Sequence, residues 1–303
     1  MARIALLFPG QGAQVIGMGA GLAARCKAAQ SIFAEASEIL GYDLLQLCIS
    51  GPAEKLNATA YSQPALFVHS MAAFADLQER HPDIIDSVVA VAGLSLGEYS
   101  ALSVAGSLSL SDGVRVVQER GLAMQAAADL QPSGMASVLG LSLEQVETVC
   151  NEARLPGEVL QVANLLCPGN IAISGHRDSL AAAEAIAATA GAMKFIPLAV
   201  AGAFHTRLME PAVSRLSRAL DSVTISDPRF PVLSNVDAQP HALGSDFRTL
   251  LPQQVVSPVQ WEACLRNLVS MQIEQYYEVG AGRVLAGTLK RIDRKLNCES
   301  IGD

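Results

Sequence analysis

VAGLSLGEYSA, Val91 to Ala101, is the stretch from which the rest of the chain is read. Gly93, Ser95 and Gly97 make a G-x-S-x-G element, and the apolar run Val88 to Ala92 in front of it predicts a buried strand. The residues after it predict a helix. A serine at such a strand-to-helix turn sits on a sharp elbow, where flanking glycines relieve crowding and the next backbone N–H can face a developing oxyanion. The element proposes Ser95 as a nucleophile, with a plain turn serine between two glycines as the structural alternative.

Outward from the elbow, Arg3 to Phe8 predicts a first strand ended by Pro9-Gly10-Gln11-Gly12, a loop rich in exposed backbone N–H groups. Helical spacing runs over Ser31 to Leu40 and Leu44 to Ile49 before Gly51-Pro52 breaks it. A mostly buried helix is expected from Gln63-Pro64, carrying Leu66, Val68, Ala72 and Phe74, with His69 as a core or boundary histidine. Ser111-Asp112 reads as the N-cap of a further helix, Gly113 to Leu130. Arg115 and Arg120 lie on that helix and, five residues apart, point in different directions.

From Gly134 to Val200 the pattern changes. Strands at Met135 to Gly140, Val159 to Asn164, Asn170 to Ser174 and Met193 to Leu198 alternate with helices at Ser142 to Ala153 and Asp178 to Thr189. That order, βαββαβ, is the split arrangement of a small ferredoxin-like domain. Helices near Met209 to Leu220 and Val259 to Ser270 follow, with strands at Pro231 to Ser234 and Gln275 to Val279 and a last helix from Arg283. The expected fold class is α/β: a large domain over 1–132 and 200–303 with the small domain, 133–199, inserted. The cleft between them is the default site.

Composition limits the function classes. The 303 residues are half hydrophobic and 17% charged, yet no stretch of about 18 uninterrupted apolar residues suggests a membrane span. The apolar run at the N-terminus is too short for a signal peptide, so a cytoplasmic protein is expected. A net charge of -8 argues against nucleic acid as the main partner. Cys26, Cys48, Cys150, Cys167, Cys264 and Cys298 are scattered without C-x-x-C spacing, which fits reduced thiols and no metal site. A monomer is expected, and no metal or organic cofactor.

A serine hydroxyl needs a base, most often histidine. His81 reads as solvated, His176 as part of a turn and His241 as part of a polar loop. His205 lies in AVAGAFHTRLM, where the small domain hands the chain back to the large one, and so beside the cleft. Between Ser95 and His205, Asp112, Asp129 and Asp178 occupy no convincing post-strand loop, so none of them is expected to serve as the acid of a conventional triad. A backbone carbonyl accepting from the other ring nitrogen would fix the tautomer instead.

FPGQGAQ (Phe8 to Gln14), GPAEKLNAT (Gly51 to Thr59), QPAL (Gln63 to Leu66), GLSLGEYSAL (Gly93 to Leu102), RG..MQ (Arg120 to Gln125), GAFH (Gly202 to His205), SPVQW (Ser257 to Trp261) and YEVGAG (Tyr277 to Gly282) occur in this order. Together they resemble the malonyl-CoA:acyl carrier protein transacylases of fatty-acid synthesis and the related acyltransferase domains of polyketide synthases, over essentially the whole chain. The resemblance implies an α/β-hydrolase-like large domain, Ser95 as the residue that carries the malonyl ester and His205 as its base. It also implies a main-chain carbonyl at Gln260 to orient His205, and an oxyanion hole from the N–H groups of Gln11 and Leu96. Arg120 would hold the free malonyl carboxylate with two parallel hydrogen bonds; a helix-surface ion pair with Glu119 or nearby acids is the alternative. Gln63 would line the same pocket, and Asn164 would touch substrate or serve a turn.

One departure matters: Leu94 stands where many members have histidine. Phe204 before the base, by contrast, resembles the malonyl-selective pattern. The implied mechanism is ping-pong transfer from malonyl-CoA to the phosphopantetheine thiol of an acyl carrier protein. Carrier proteins are acidic, so Arg283, Lys290, Arg291, Arg294 and Lys295 form a candidate docking patch, or else a solvated helix face. Three other readings stay open: a polyketide or malonate-processing acyltransferase, a serine esterase or thioesterase, and a non-enzymatic carrier-binding scaffold.

Overall fold

Ile4–Phe8 (β1), IALLF, has every residue buried, as a strand covered on both faces must. The other strands are Val88–Gly93 (β2), Ser133–Leu139 (β3), Leu160–Cys167 (β4), Asn170–His176 (β5), Lys194–Pro197 (β6), Val232–Leu233 (β7), Pro240–His241 (β8), Gln275–Val279 (β9) and Cys298–Ile301 (β10). The computed structural model describes residues 2–303.

Six strands form a sheet in the order β10-β9-β1-β2-β7-β8, parallel except where two-residue β8 turns back on β7. Side chains alternate across β1, so its residues serve two cores. Ile4, Leu6 and Phe8 pack with Phe33, Leu66, Phe67 and Val117, from the helices Lys27–Leu40, Thr59–Arg80 and Leu110–Ala128. Ala5 and Leu7 face Trp261, Leu265 and Leu289, from Trp261–Ser270 and Val284–Ile292.

The second sheet, β4-β5-β3-β6, is antiparallel throughout. Helices Leu143–Ala153 and Arg177–Thr189 cover it through a third core that includes Val146, Val149, Ile173 and Ala183. The first of them opens with the capping box expected from Ser142 and Gln145. The two sheets meet where β4 runs beside the segment before Trp261: Leu165 N–H donates to the Val259 carbonyl at 2.9 Å, and Val259 N–H to the Ala163 carbonyl at 2.8 Å.

Several elements differ from the reading above. The helix expected at Gln63 starts at Thr59 and takes Pro64 into its second turn, at the cost of one helix bond. Ser109, not Ser111-Asp112, caps Leu110–Ala128, its hydroxyl accepting from Asp112 N–H at 3.0 Å. Helix Gly244–Val256 and strand β10 were not expected at all, and β7 has two residues where four were expected. No helix among the described residues is long and apolar enough to cross a membrane.

Candidate active site

β2 runs into helix Gly97–Val104 through Ser95, whose φ of 51° is left-handed. A serine rests there only when its surroundings impose it. Part of that constraint is close packing. A side chain on Gly93 would meet the backbone of Gly97, and one on Gly97 would meet the Phe8 carbonyl. The rest is Asn235, just after β7: its Oδ1 accepts from Ser95 N–H at 2.6 Å and its Nδ2 donates to the Gly93 carbonyl at 2.8 Å. Asn235→Ala leaves two backbone groups of the elbow unpartnered, and should lower unfolding stability by about 2 to 4 kcal/mol. Denaturant unfolding checks this, and a midpoint equal to that of the wild type would contradict it.

His205 also has a left-handed φ, 60°. Its Nε2 lies 2.8 Å from Ser95 Oγ and its Nδ1 2.9 Å from a backbone carbonyl. A carbonyl only accepts, so Nδ1 carries the proton and the Nε2 lone pair faces the serine hydroxyl. Burial, then the charge of Arg120, push the imidazole down to about 4, which keeps it neutral and able to act as a base.

The carbonyl belongs to Gln254 and not, as the family resemblance implies, to Gln260. The Gln260 carbonyl is taken by Cys264 N–H at 3.0 Å, in the first turn of Trp261–Ser270. Gln254 lies in the last turn of Gly244–Val256, where its carbonyl takes only a long bond from the capping Ser257 N–H at 3.4 Å and keeps a lone pair for His205.

Arg120 is 1% exposed and its hydrogen-bond acceptors are all neutral. Nη1 donates to Gln63 Oε1 at 2.7 Å, and Nη2 to Ser95 Oγ at 3.0 Å and Gln254 Oε1 at 2.9 Å, while Nε has no partner. Its guanidinium also lies 5.3 Å from the centre of the Tyr99 ring. The surface ion-pair alternative fails, because Arg120 is buried and bonds no carboxylate, and Glu119 is taken by Arg215 at 2.6 Å. Arg115 points outward, as the helical spacing required.

Ser95, His205 and Arg120 border one cavity of about 260 Å³. Its walls are mostly apolar, with Leu94, Met124, Met135 and Phe204 among them, and Gln11 and Asn164 add polar edges. Gln63 is not on the wall: it sits fully buried behind Arg120 and holds it. Among the described residues nothing accepts from the backbone N–H of Gln11 or Leu96. Leu96 directly precedes helix Gly97–Val104, whose first amides, those of Gly97, Glu98 and Tyr99, are taken by the Leu94, Ser95 and Leu96 carbonyls, so the Leu96 N–H is the one this turn leaves over. The N–H of Ser95 itself is occupied by Asn235.

The basic residues gather at helix Val284–Ile292. Arg283 caps the end at which Val284 borders the cavity, Lys290 and Arg291 occupy the last turn, and Arg294 and Lys295 follow it, all five exposed. Arg291 also donates to the Pro168 carbonyl at 2.9 Å, tying this helix to the loop after β4.

Besides Gln254, two site residues escaped the sequence reading. Asn235 stands in a polar turn with no motif around it, and Glu98, inside GLSLGEYSAL, attracted no role. Glu98 is fully buried; its Oε2 accepts from Gln254 Nε2 at 2.7 Å and Asn235 N–H at 3.0 Å. Gln254 Nε2 also donates to the Ser95 carbonyl at 3.0 Å. Two acceptors on one side of the amide and Arg120 on the other fix which way it points.

The family model for the acyl transferase domain matches residues 5–286. The malonyl CoA-acyl carrier protein transacylase of Bacillus subtilis is 40% identical, covering all of this chain and 94% of its own length. That of Escherichia coli K12 is 39% identical, covering 100% and 97%. Among solved structures, an acyl carrier protein S-malonyltransferase from Vibrio cholerae superposes with a TM-score of 0.93 at 36% identity, over 100% of this chain and 97% of that one. A malonyl-transacylase in complex with a holo type II polyketide acyl carrier protein gives 0.95 at 36% identity, over 100% and 96%.

Proposed function

The chain belongs to the acyl transferase domain family, and from that premise we propose that it moves malonyl groups from malonyl-CoA to the phosphopantetheine thiol of an acyl carrier protein. One observation carries the choice of acyl group. A buried arginine with only neutral partners lies 3.0 Å from the hydroxyl of Ser95. In a malonyl thioester the carboxylate is one methylene from the carbonyl under attack, so a group on Ser95 brings its charge to Arg120.

The cycle follows from the hydrogen bonds. As Ser95 Oγ attacks the thioester carbonyl, its proton passes to His205 Nε2, and the Gln254 carbonyl steadies the imidazolium through Nδ1–H. The backbone N–H groups of Gln11 and Leu96 receive the oxyanion. Collapse expels CoA, which leaves as the thiol with the proton from His205. The carrier's thiol then gives its proton to His205, attacks the ester and restores Ser95. A thioester is already activated and histidine carries the protons, so the cycle calls on no metal or organic cofactor. Phe204 and Asn164 border the acyl group, and Leu94 gives the cavity an apolar wall where a histidine would have supplied a polar one.

The fold reading that accompanies this is an α/β-hydrolase-like domain, 1–132 and 200–303, with a ferredoxin-like unit, 133–199, inserted. The βαββαβ order with its β4-β5-β3-β6 antiparallel sheet supports the second, and the serine elbow at the end of β2 supports the first.

Isolated malonyl-enzyme, chased with holo carrier protein, should pass its label to the carrier's thiol; release only as free malonate would make the protein an esterase. Fatty-acid synthesis is the first reading of the pathway. The neighbour solved with a polyketide carrier favours a second, and chase rates on the two carriers separate them. In the same assay, Arg294→Glu with Lys295→Glu should raise KM for the carrier several-fold and leave loading from malonyl-CoA alone. An unchanged KM would make these residues a solvated face.

A further inference from the structure

Glu98 sits one amide group from Arg120. Gln254 alone lies between them, its Nε2 2.7 Å from Glu98 Oε2 and its Oε1 2.9 Å from Arg120 Nη2. Glu98 is fully buried and Arg120 is 1% exposed where it borders the cavity, so each feels the other's charge with little screening. In the empty site one buried cation faces one buried acid. Once malonyl is on Ser95, the same cation faces two. The inference thus rests on malonyl being the acyl group.

We propose that Glu98 sets the enzyme's hold on malonyl by taking up a proton from solvent when the substrate carboxylate engages Arg120. The proton has a place to go. Oε2 is occupied by Gln254 and Asn235, whereas Oε1 is buried with no partner, and a lone pair facing no donor is where a carboxylate protonates at least cost.

The groups around Glu98 leave it as the one to respond. Arg120, from Leu110–Ala128, keeps its charge as a guanidinium. His205 is pushed down to about 4 by burial, while burial drives Tyr99, the next residue along, and Cys264, on Trp261–Ser270, upward from their ordinary values. Asp237, from the turn after β7, adds a negative charge that opposes ionisation of Glu98 and is itself paired with His241 at 3.0 Å. Burial raises Glu98 to about 7, against the opposing pull of its two donors and Arg120.

Ionised Glu98 shares the guanidinium with the substrate, and neutral Glu98 does not. KM for malonyl-CoA in self-acylation should therefore rise with pH, on the order of tenfold between about pH 6 and about pH 9 for one pKa unit of coupling. Acetyl-CoA carries the same CoA phosphates and no acyl carboxylate, so its KM should not share that rise. In Glu98→Gln the malonyl KM should stay level. In weakly buffered wild type, ester formation from malonyl-CoA should take up protons beyond those seen with acetyl-CoA, a measurement that needs no variant. A flat wild-type profile, an equal rise in E98Q, or equal proton uptake from the two thioesters would overturn the proposal. Failure to form any ester on Ser95 would instead remove the malonyl reading beneath it.

Discussion

Arg120→Ala should lower kcat/KM for malonyl-CoA by at least about a hundredfold, roughly 3 kcal/mol of transition-state binding, while reducing acetyl transfer far less. The substrate's carboxylate would enter a cavity whose remaining walls are mostly apolar, with no charge to meet it. Arg120→Lys should recover little. The guanidinium is placed by Gln63 and Gln254 at fixed angles, and an ammonium on a flexible stem cannot contact both acceptors and still offer a fork to the substrate. Steady-state kinetics with the two thioesters decides the matter, and equal losses for both would mean that Arg120 supports the elbow rather than selecting the acyl group.

His205→Ala should slow formation of the Ser95 ester by about 10³-fold, within the range that general base catalysis contributes. No carboxylate backs this histidine; the Gln254 carbonyl orients it without adding a buried negative charge. Nothing beside it therefore raises its basicity as an aspartate would, and burial keeps it neutral. Since the neutral ring is the competent base, single-turnover acylation at saturating malonyl-CoA should persist as pH falls below neutrality, and fail only as it approaches about 4. A loss near the ordinary pKa of histidine, about 6.5, would place the imidazole in a wetter site than the structure gives it.

What the sequence makes legible is whatever short-range pattern enforces. G-x-S-x-G between an apolar run and a helix marks the elbow, because close packing of Gly93 and Gly97 leaves no other residue possible there. The βαββαβ order of 133–199 is likewise written in alternation and capping residues. Arg120 needed the family resemblance, since on a helix face alone it could have paired with Glu119.

The carbonyl that orients His205 was the harder case. Any residue can supply a carbonyl, so composition carries no signal for it, and the helix that delivers Gln254 was hidden by Pro252 and a polar start at Gly244-Ser245-Asp246. Asn235 and Glu98 were illegible for a related reason. Their roles come from contacts across more than a hundred residues of chain, through single amides and carboxylates that no local pattern distinguishes from solvated ones. Their burial is the missing signal, and burial of a lone polar residue emerges only with the packed structure.

Incubation with labelled malonyl-CoA, followed by peptide mapping, tests the central claim most directly. The account predicts one malonyl ester per chain, on Ser95, discharged by holo carrier protein and absent from Ser95→Ala. Intact, folded protein that carries no ester on Ser95, or an ester that persists in Ser95→Ala, would contradict it.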